Sequence, residues 1–376
     1  MKTDYKALKE LPDDSDYITW AQDFSADAEN VLIQLLQKDH FMIKDLPFLL
    51  SKEASHYLER MAVLAKGLTQ QYHGNVMHVY VPLYLSNYCV NHCVYCGFNA
   101  SNSIERKTLS LKEIEEEVVA LSSQGHRDIL LLTGEDPNEV PLSYLLDAVA
   151  LVKQYFATVG IEIYPLGFDE YAKLVSAGVS HLALYQECYD RELYKQLHPK
   201  GPKSNYDFRL RAPEEAAKAG MAAINIGTLL GLRDWRKEII SGAHHLEYLQ
   251  KKYPEVEYSY SFPRIRQYQG KIFQGQFVDD RDFVQAILAL RLIFPHIGLS
   301  LSTRESASLR DHLIGLGITR MSAGSKTSVG GYVKNMKEDQ DNSQFAISDH
   351  RDLSEISKLL ENKGVQPVYK NWEVSV

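Results

Sequence analysis

From Met77 to Ser322 the sequence alternates eight times between a short β-branched or aromatic run and a longer amphipathic stretch. Few folds accommodate that order. The runs predict strands at Met77 to Leu85, Asp128 to Thr133, Ile161 to Pro165, His181 to Gln186, Ala222 to Gly227, Val256 to Ser261, Ile297 to Ser302 and Ile318 to Ser322. Predicted helices lie between them, at Leu111 to Ser123, Leu142 to Phe156, Asp169 to Ala177, Pro213 to Ala219, Trp235 to Lys252, Asp280 to Phe294 and Ser306 to Ile314. Gly160, Gly178, Gly220, Gly298 and Gly317 stand just before or at the start of strands, where a helix ends in the left-handed region. Strand-then-helix order implies a parallel sheet, and eight units in about 250 residues match a closed (β/α)8 TIM-type barrel better than an open doubly wound sheet.

An N-terminal helical extension precedes the barrel, with helical apolar spacing in Ala26 to Leu36 and Leu46 to Leu64. After Ser322 the Gly/Ser-rich SAGSKTSVGGYVKN and an acidic stretch to about Ser343 read as loop. A last helix, Leu353 to Lys363, leads into GVQPVYKNWEVSV, expected to dock on the barrel. The domain reading is an extension at 1–75, the barrel at 76–325 and a C-terminal loop and helix at 326–376.

Apolar residues at 45% and charged residues at 24% exclude wholesale disorder or a fibrous chain. The net charge of −8 argues against nucleic acid as a partner. No apolar run approaches the roughly 20 residues that span a bilayer, and the start MKTDYKALKELPDDSD is too charged for a secretory signal. A cytoplasmic protein with no membrane partner is expected.

Three of the four cysteines, Cys89, Cys93 and Cys96, fall within eight residues as C-x3-C-x2-C just after the first predicted strand. That clustering fits a metal site in a reducing compartment better than a disulfide framework. In a barrel, the C-terminal rim is where chemistry is carried. Three thiolates hold three irons of a four-iron four-sulfur cluster and leave the fourth open to a small molecule. The alternative is zinc, which wants four tetrahedral ligands; no second Cys/His pair is present, and His92 is awkwardly adjacent to Cys93. Cys188, isolated at the fourth strand's end, reads as a small buried hydrophobe.

The cysteine spacing with Tyr95 before the third cysteine is the signature of the radical S-adenosylmethionine (SAM) superfamily. CGFNASN, RKTLS, LLLTGE, LYQECYD, HPKGPK, GTLLGLRDW, SFPRIR, LSTRE, TRMSAGSK and QPVYKNW closely resemble the 2-iminoacetate synthase family, the ThiH tyrosine lyases of thiamine biosynthesis. The related hydrogenase-maturation tyrosine lyase (HydG) shares much of the pattern but carries further cluster-binding cysteines in an additional C-terminal domain. No cysteine follows Cys188 here.

The resemblance implies a 4Fe-4S cluster on Cys89, Cys93 and Cys96, with SAM as cosubstrate on its open iron. It further implies reductive cleavage of SAM to methionine and a 5′-deoxyadenosyl radical. Hydrogen abstraction from the amino group of L-tyrosine then leads to Cα–Cβ scission, giving 2-iminoacetate (dehydroglycine) and p-cresol. The expected cosubstrate residues are Tyr95, Gly134, Glu135, Glu187 and Arg209. Thr133 stands where the family's Gly-Gly-Glu-type element has its first glycine. Glu187 and Arg209 are a carboxylate and a guanidinium able to pair with the methionyl ends, or with each other. Tyr95 either offers backbone bonds and stacking to adenine or packs beneath the cluster. Arg304 and Ser322 are the expected tyrosine residues, Arg304 through a fork suited to a carboxylate; a salt bridge to Glu305 and a helix cap are their structural alternatives. Arg264 and Arg266 are rim charges, shaping the phenol or cosubstrate side or simply solvated. Implied partners are the thiazole synthase ThiG and a flavodoxin or ferredoxin. The alternative function is a relative acting on another small substrate, HydG-like, tryptophan-lyase-like or biotin-synthase-like.

Overall fold

Alternate residues of Val76–Ser86 (β1) serve two environments: Val79, Val81, Leu83 and Leu85 pack outward into the main core, while Tyr80 and Tyr84 face an internal cavity. Period-2 exposure to two different surroundings is what a barrel strand requires. The structure, a computed structural model, describes residues 28–266, 273–333 and 342–370. The remaining barrel strands are Asp128–Thr133 (β2), Thr158–Glu162 (β3), His181–Ala183 (β4), Ala223–Gly227 (β5), Glu257–Ser261 (β6), Gly298–Leu301 (β7) and Arg320–Ser322 (β8). All pair in parallel in chain order, and β1 pairs with both β2 and β8, so the sheet closes. The chain is a (β/α)8 TIM-type barrel.

Ahead of β1, Ala28–Leu35 (α1), Leu46–Leu49 (α2) and Leu58–His73 (α3) form the helical extension. The expected run Leu46 to Leu64 is interrupted by the 3-10 turn Glu53–Tyr57. Leu111–Ser123 (α4), Leu142–Val152 (α5), Phe168–Ser176 (α6), Arg191–Leu197 (α7), Tyr206–Lys218 (α8), Trp235–Lys252 (α9), Asp280–Ile293 (α10) and Ala307–Leu313 (α11) surround the strands. Leu353–Asn362 (α12) buries Leu353, Ile356 and Leu360, and Gln366–Val368 (β9) pairs in parallel with the lower end of β1. The start of the extension and residues 334–341 of the acidic stretch lie outside the described residues.

Three departures from the sequence reading have local causes. β3 starts three residues early because Gly160 is a strand residue: the His181 ring lies against it, and a Cβ there would come within 1.8 Å of His181 Nε2. Gly298 likewise sits in a strand, whereas Gly178, Gly220 and Gly317 adopt the expected positive φ of 101°, 88° and 120°. α8 begins at Tyr206, seven residues before the predicted start, with Asn205 accepting from Phe208 N and Pro213 inside the helix. Arg209, which the predicted start at Pro213 leaves ahead of the helix, is therefore a helix residue. α7, capped by Asp190 accepting from Leu193 N, was absent from the sequence reading because its seven residues are too short for periodicity to show.

Gly160→Ala is expected to cost about 1–3 kcal/mol by forcing the buried His181 ring aside. A urea unfolding curve with an unchanged slope and an earlier midpoint would record it.

Candidate active site

The cysteines lie on the loop between β1 and α4, which side chains hold in place of a ladder. Arg106 donates to the carbonyls of Asn87 (2.5 Å), Phe98 (3.0 Å) and Asn99 (2.8 Å). Asn99 donates to Cys93 O at 2.9 Å and Asn102 to Cys96 O at 3.2 Å. Gly134, at the end of β2, lets the loop approach: a Cβ there would be 2.1 Å from Tyr88 O and 3.2 Å from Cys89 Cβ.

Burial raises all three thiol pKa values, with Glu135 adding to it at Cys89 and neighbouring cysteines at Cys93 and Cys96; Cys96 is pushed up to about 11, by burial first and then by Cys89. Crowded soft donors of this kind suit a cationic iron–sulfur group that takes them as thiolates. Among the described residues no three or more His, Cys, Asp or Glu side chains gather as a single metal ion requires. Three thiols are one ligand short of a structural zinc site. His92 turns away to Ser101 Oγ at 2.8 Å. Cys188 is fully buried, its thiol 3.5 Å from Glu238 Oε1.

Beside the loop lies a buried set of opposite charges. Arg209 Nη1 meets Glu135 Oε1 at 2.7 Å and its Nη2 stands 3.7 Å from Glu187 Oε1, while its Nε donates to Tyr185 O at 2.7 Å. Asn91 bridges this set to the cysteine loop, donating to Glu135 Oε2 at 2.6 Å and accepting from Lys203 N at 2.8 Å. Lys203 Nζ completes it at 2.9 Å from Glu187 Oε1. Burial would raise the Glu187 pKa, but Lys203 and then Arg209 outweigh it and hold the carboxyl below its usual range. Glu187 has a φ of 71°, the one positive value among described non-glycine residues, and its carbonyl accepts from Leu229 N at 3.0 Å. A strained backbone at such a position marks a side chain whose direction matters. The buried hydroxyl of Thr133 has no hydrogen-bond partner, a group left for a ligand beside Gly134 and Glu135.

Tyr95 points into the protein. Its hydroxyl meets His198 Nε2 at 2.7 Å, and His198 Nδ1 meets Tyr194 O at 2.8 Å. A carbonyl only accepts, so Nδ1 carries the proton and Tyr95 donates to Nε2. Burial holds the His198 pKa down to about 2, which keeps that tautomer neutral. The Tyr95 side chain is thus anchored through its hydroxyl to His198, with its ring packed edge-on to the rings of His198 and Phe273.

Below the loop the barrel holds a cavity lined by both apolar and polar side chains. Arg304, Ser322, Tyr84 and Glu162 line it. The expected alternative for Arg304, a salt bridge to Glu305, does not form. Glu305 is taken by Arg264, whose Nε is 3.1 Å from Oε2, and by Arg266 at 2.8 Å. Arg264 also reaches Asp280 at 2.8 Å, so both rim arginines are engaged in fixing the segment after β7. Arg304 instead has its guanidinium carbon 3.4 Å from the Phe345 ring centroid and has no acid within ion-pair distance among the described residues. Ser322 is no helix cap; it ends β8 beside Tyr80.

Lys203, Asn91 and Glu162 were not singled out from the sequence. Lys203 lies within HPKGPK, but a lone lysine there carries no spacing signal. Glu162 escaped because the misplaced third strand put it inside an apolar run.

The chain matches the Radical SAM superfamily over residues 83–241 and the Biotin and Thiamin Synthesis associated domain over residues 261–366. It is 41% identical to 2-iminoacetate synthase of Salmonella typhimurium over 350 residues, 93% of this chain and 91% of that protein. The corresponding Escherichia coli enzyme is 42% identical over 330 residues, 88% of this chain and 87% of that one. The solved FeFe-hydrogenase maturase HydG from Carboxydothermus hydrogenoformans superposes with a TM-score of 0.88 at 30% identity, covering 98% of this chain and 85% of that chain. A closed barrel with three cysteines on its first loop, matched along nine-tenths of its length by such relatives, belongs to the 2-iminoacetate synthase family of the radical SAM superfamily.

Proposed function

We propose that the protein is a lyase that cleaves the Cα–Cβ bond of L-tyrosine to 2-iminoacetate and p-cresol, for thiazole formation in thiamine biosynthesis. The observation that carries this reading is the stacking of two sites: a three-cysteine loop and buried ion set at the mouth, and below them a cavity whose arginine is free of acid. Cys89, Cys93 and Cys96 would hold a 4Fe-4S cluster. When bound, the cluster and SAM supply methionine and a carbon-centred radical on 5′-deoxyadenosine. Glu135, with Gly134 and Thr133 beside it, is the partner for the methionyl ammonium. Arg209 and Glu187 fix that end by charge, and Lys203 holds Glu187 in place.

Arg304 grips the tyrosine carboxylate and Ser322 adds a hydroxyl on the neighbouring wall. Tyr84, whose hydroxyl donates to Gln344 Oε1 at 2.7 Å, closes the cavity against water. The resemblance also supports a reductant of the flavodoxin or ferredoxin type and delivery of the short-lived imine to ThiG. Among the described residues no helix is long and apolar enough to cross a membrane, in keeping with a cytoplasmic enzyme.

Anaerobic reconstitution followed by assay with tyrosine, SAM and dithionite tests the proposal. Equal amounts of p-cresol and 5′-deoxyadenosine are expected; 5′-deoxyadenosine stimulated by another amino acid, without p-cresol, would assign a different substrate. Arg304→Lys is expected to raise KM for tyrosine about 10- to 100-fold, the loss of roughly 1.5–3 kcal/mol for a charged two-point contact. Steady-state kinetics on the same preparation reads it.

A further inference from the structure

Two carboxylates line the cavity, and they differ in what they meet. Glu305 is saturated by Arg264 and Arg266. Glu162, half-buried at the end of β3, has no hydrogen-bond or ion-pair partner among the described residues. The barrel order sets β3 four strands from β7 in either direction, so Glu162 and Arg304 face each other across the lumen. Each feels the other's charge, yet they do not pair. An acid and a base held apart on opposite walls fit a ligand carrying both charges on one carbon. An α-amino acid is such a ligand.

We infer that Glu162 receives the α-ammonium of the amino-acid substrate and takes one proton from it, leaving a neutral amine. This rests on the reading of the cavity as the amino-acid site. The step breaks one ammonium N–H bond and forms one O–H bond on Glu162; nitrogen keeps the electron pair, and nothing is oxidised or reduced. The chemistry needs it, because a nitrogen that loses a hydrogen atom must hold a lone pair to stabilise the radical left behind. The surroundings suit it as well. Facing Glu162 are Tyr80 and Tyr84 of β1, Tyr185 and Glu187 beyond β4, Lys203 and Arg209 beside the mouth, and Arg304. Burial, then Glu187, push its pKa up to about 7, with Arg304, Arg209 and Lys203 opposing. A base poised there is charged enough to accept a proton and basic enough to keep it.

The test uses cluster- and SAM-loaded wild type and Glu162→Gln, with L-tyrosine, L-phenylalanine and 3-(4-hydroxyphenyl)propionate, which lacks the amine, as binding probes. In the variant, tyrosine and phenylalanine are expected to bind at least about 10-fold more weakly, the scale of a lost charge-assisted hydrogen bond. The amine-free acid should bind as well as before or better. An equal loss for the amine-free acid would place Glu162 at the phenol and overturn the inference. Turnover is the second readout. Wild-type p-cresol formation should rise with pH through about 7 and level off, since the ionised carboxylate is the active form. Glu162→Gln should be slower by about 10²- to 10⁴-fold at pH 7 and recover toward the alkaline pKa of the substrate's own amine. Glu162→Asp should keep the wild-type profile at a lower rate. A Gln variant with the wild-type rate and profile also overturns the inference. If the wild type forms no p-cresol, the tyrosine reading fails separately, and the binding comparison still decides the role of Glu162.

Discussion

Cys93→Ala is expected to bring p-cresol and 5′-deoxyadenosine below detection while the barrel stays folded. Cys93 is the most buried of the three cysteines on the loop, and its carbonyl, held by Asn99, survives the substitution. What is lost is one thiolate of three. Two thiolates leave a cube with two open irons, so retained iron and sulfide should fall severalfold after reconstitution. Far-UV circular dichroism should be unchanged. Cys188→Ala is the matched control: it removes a buried thiol from the same hydrophobic cluster, one that contacts Glu238 and Asp190. It should keep full iron and sulfide at a cost of about 1 kcal/mol. Full cluster content in Cys93→Ala would remove the cysteine loop from its assigned role.

Arg209→Met is expected to produce the largest loss of stability, about 3–5 kcal/mol, because breaking a buried ion pair from one side strands the other charge. Glu135 would retain only Asn91, and Glu187 only Lys203. The pH dependence has a definite sign. In the wild type the Glu187 pKa lies below its ordinary value, so its contribution is present above the unfolded pKa and fades as pH falls through the folded one. In the variant Arg209 no longer helps to hold the Glu187 carboxyl down, so that part of the difference is lost as pH falls through the folded Glu187 pKa. The gap between the two unfolding curves should therefore narrow on acidification. A gap of constant width between pH 4 and 8 would mean that Arg209 acts through its aliphatic stem rather than its charge.

The barrel was readable because its signal is repeated: an error in one strand leaves the other seven to define the alternation. Single elements had no such protection. Gly160 looked like punctuation because a sequence carries no record of the His181 ring that needs the space beside it. Pro213 looked like a helix start because Asn205, the actual cap, lies outside any apolar period. In the site, residues marked by local pattern stood out: three cysteines in eight positions, and the charged Glu135, Glu187 and Arg304 just past predicted strands, whereas Glu162, at the end of β3, did not. Nor did Asn91 and Lys203, since their significance comes from bridging segments 44 and 16 residues away. Arg264 and Arg266 were visible as charges, but the acid that engages them sits about 40 positions downstream.

The flat contact between Phe345 and the guanidinium of Arg304 has a consequence for selectivity. With one face covered by the ring, the guanidinium presents its edge to the lumen, and its donors lie in a single plane. Coplanar oxygens of a carboxylate match that edge in a charged two-point contact, so an amino-acid amide, neutral at that end, should compete poorly with the acid for this seat.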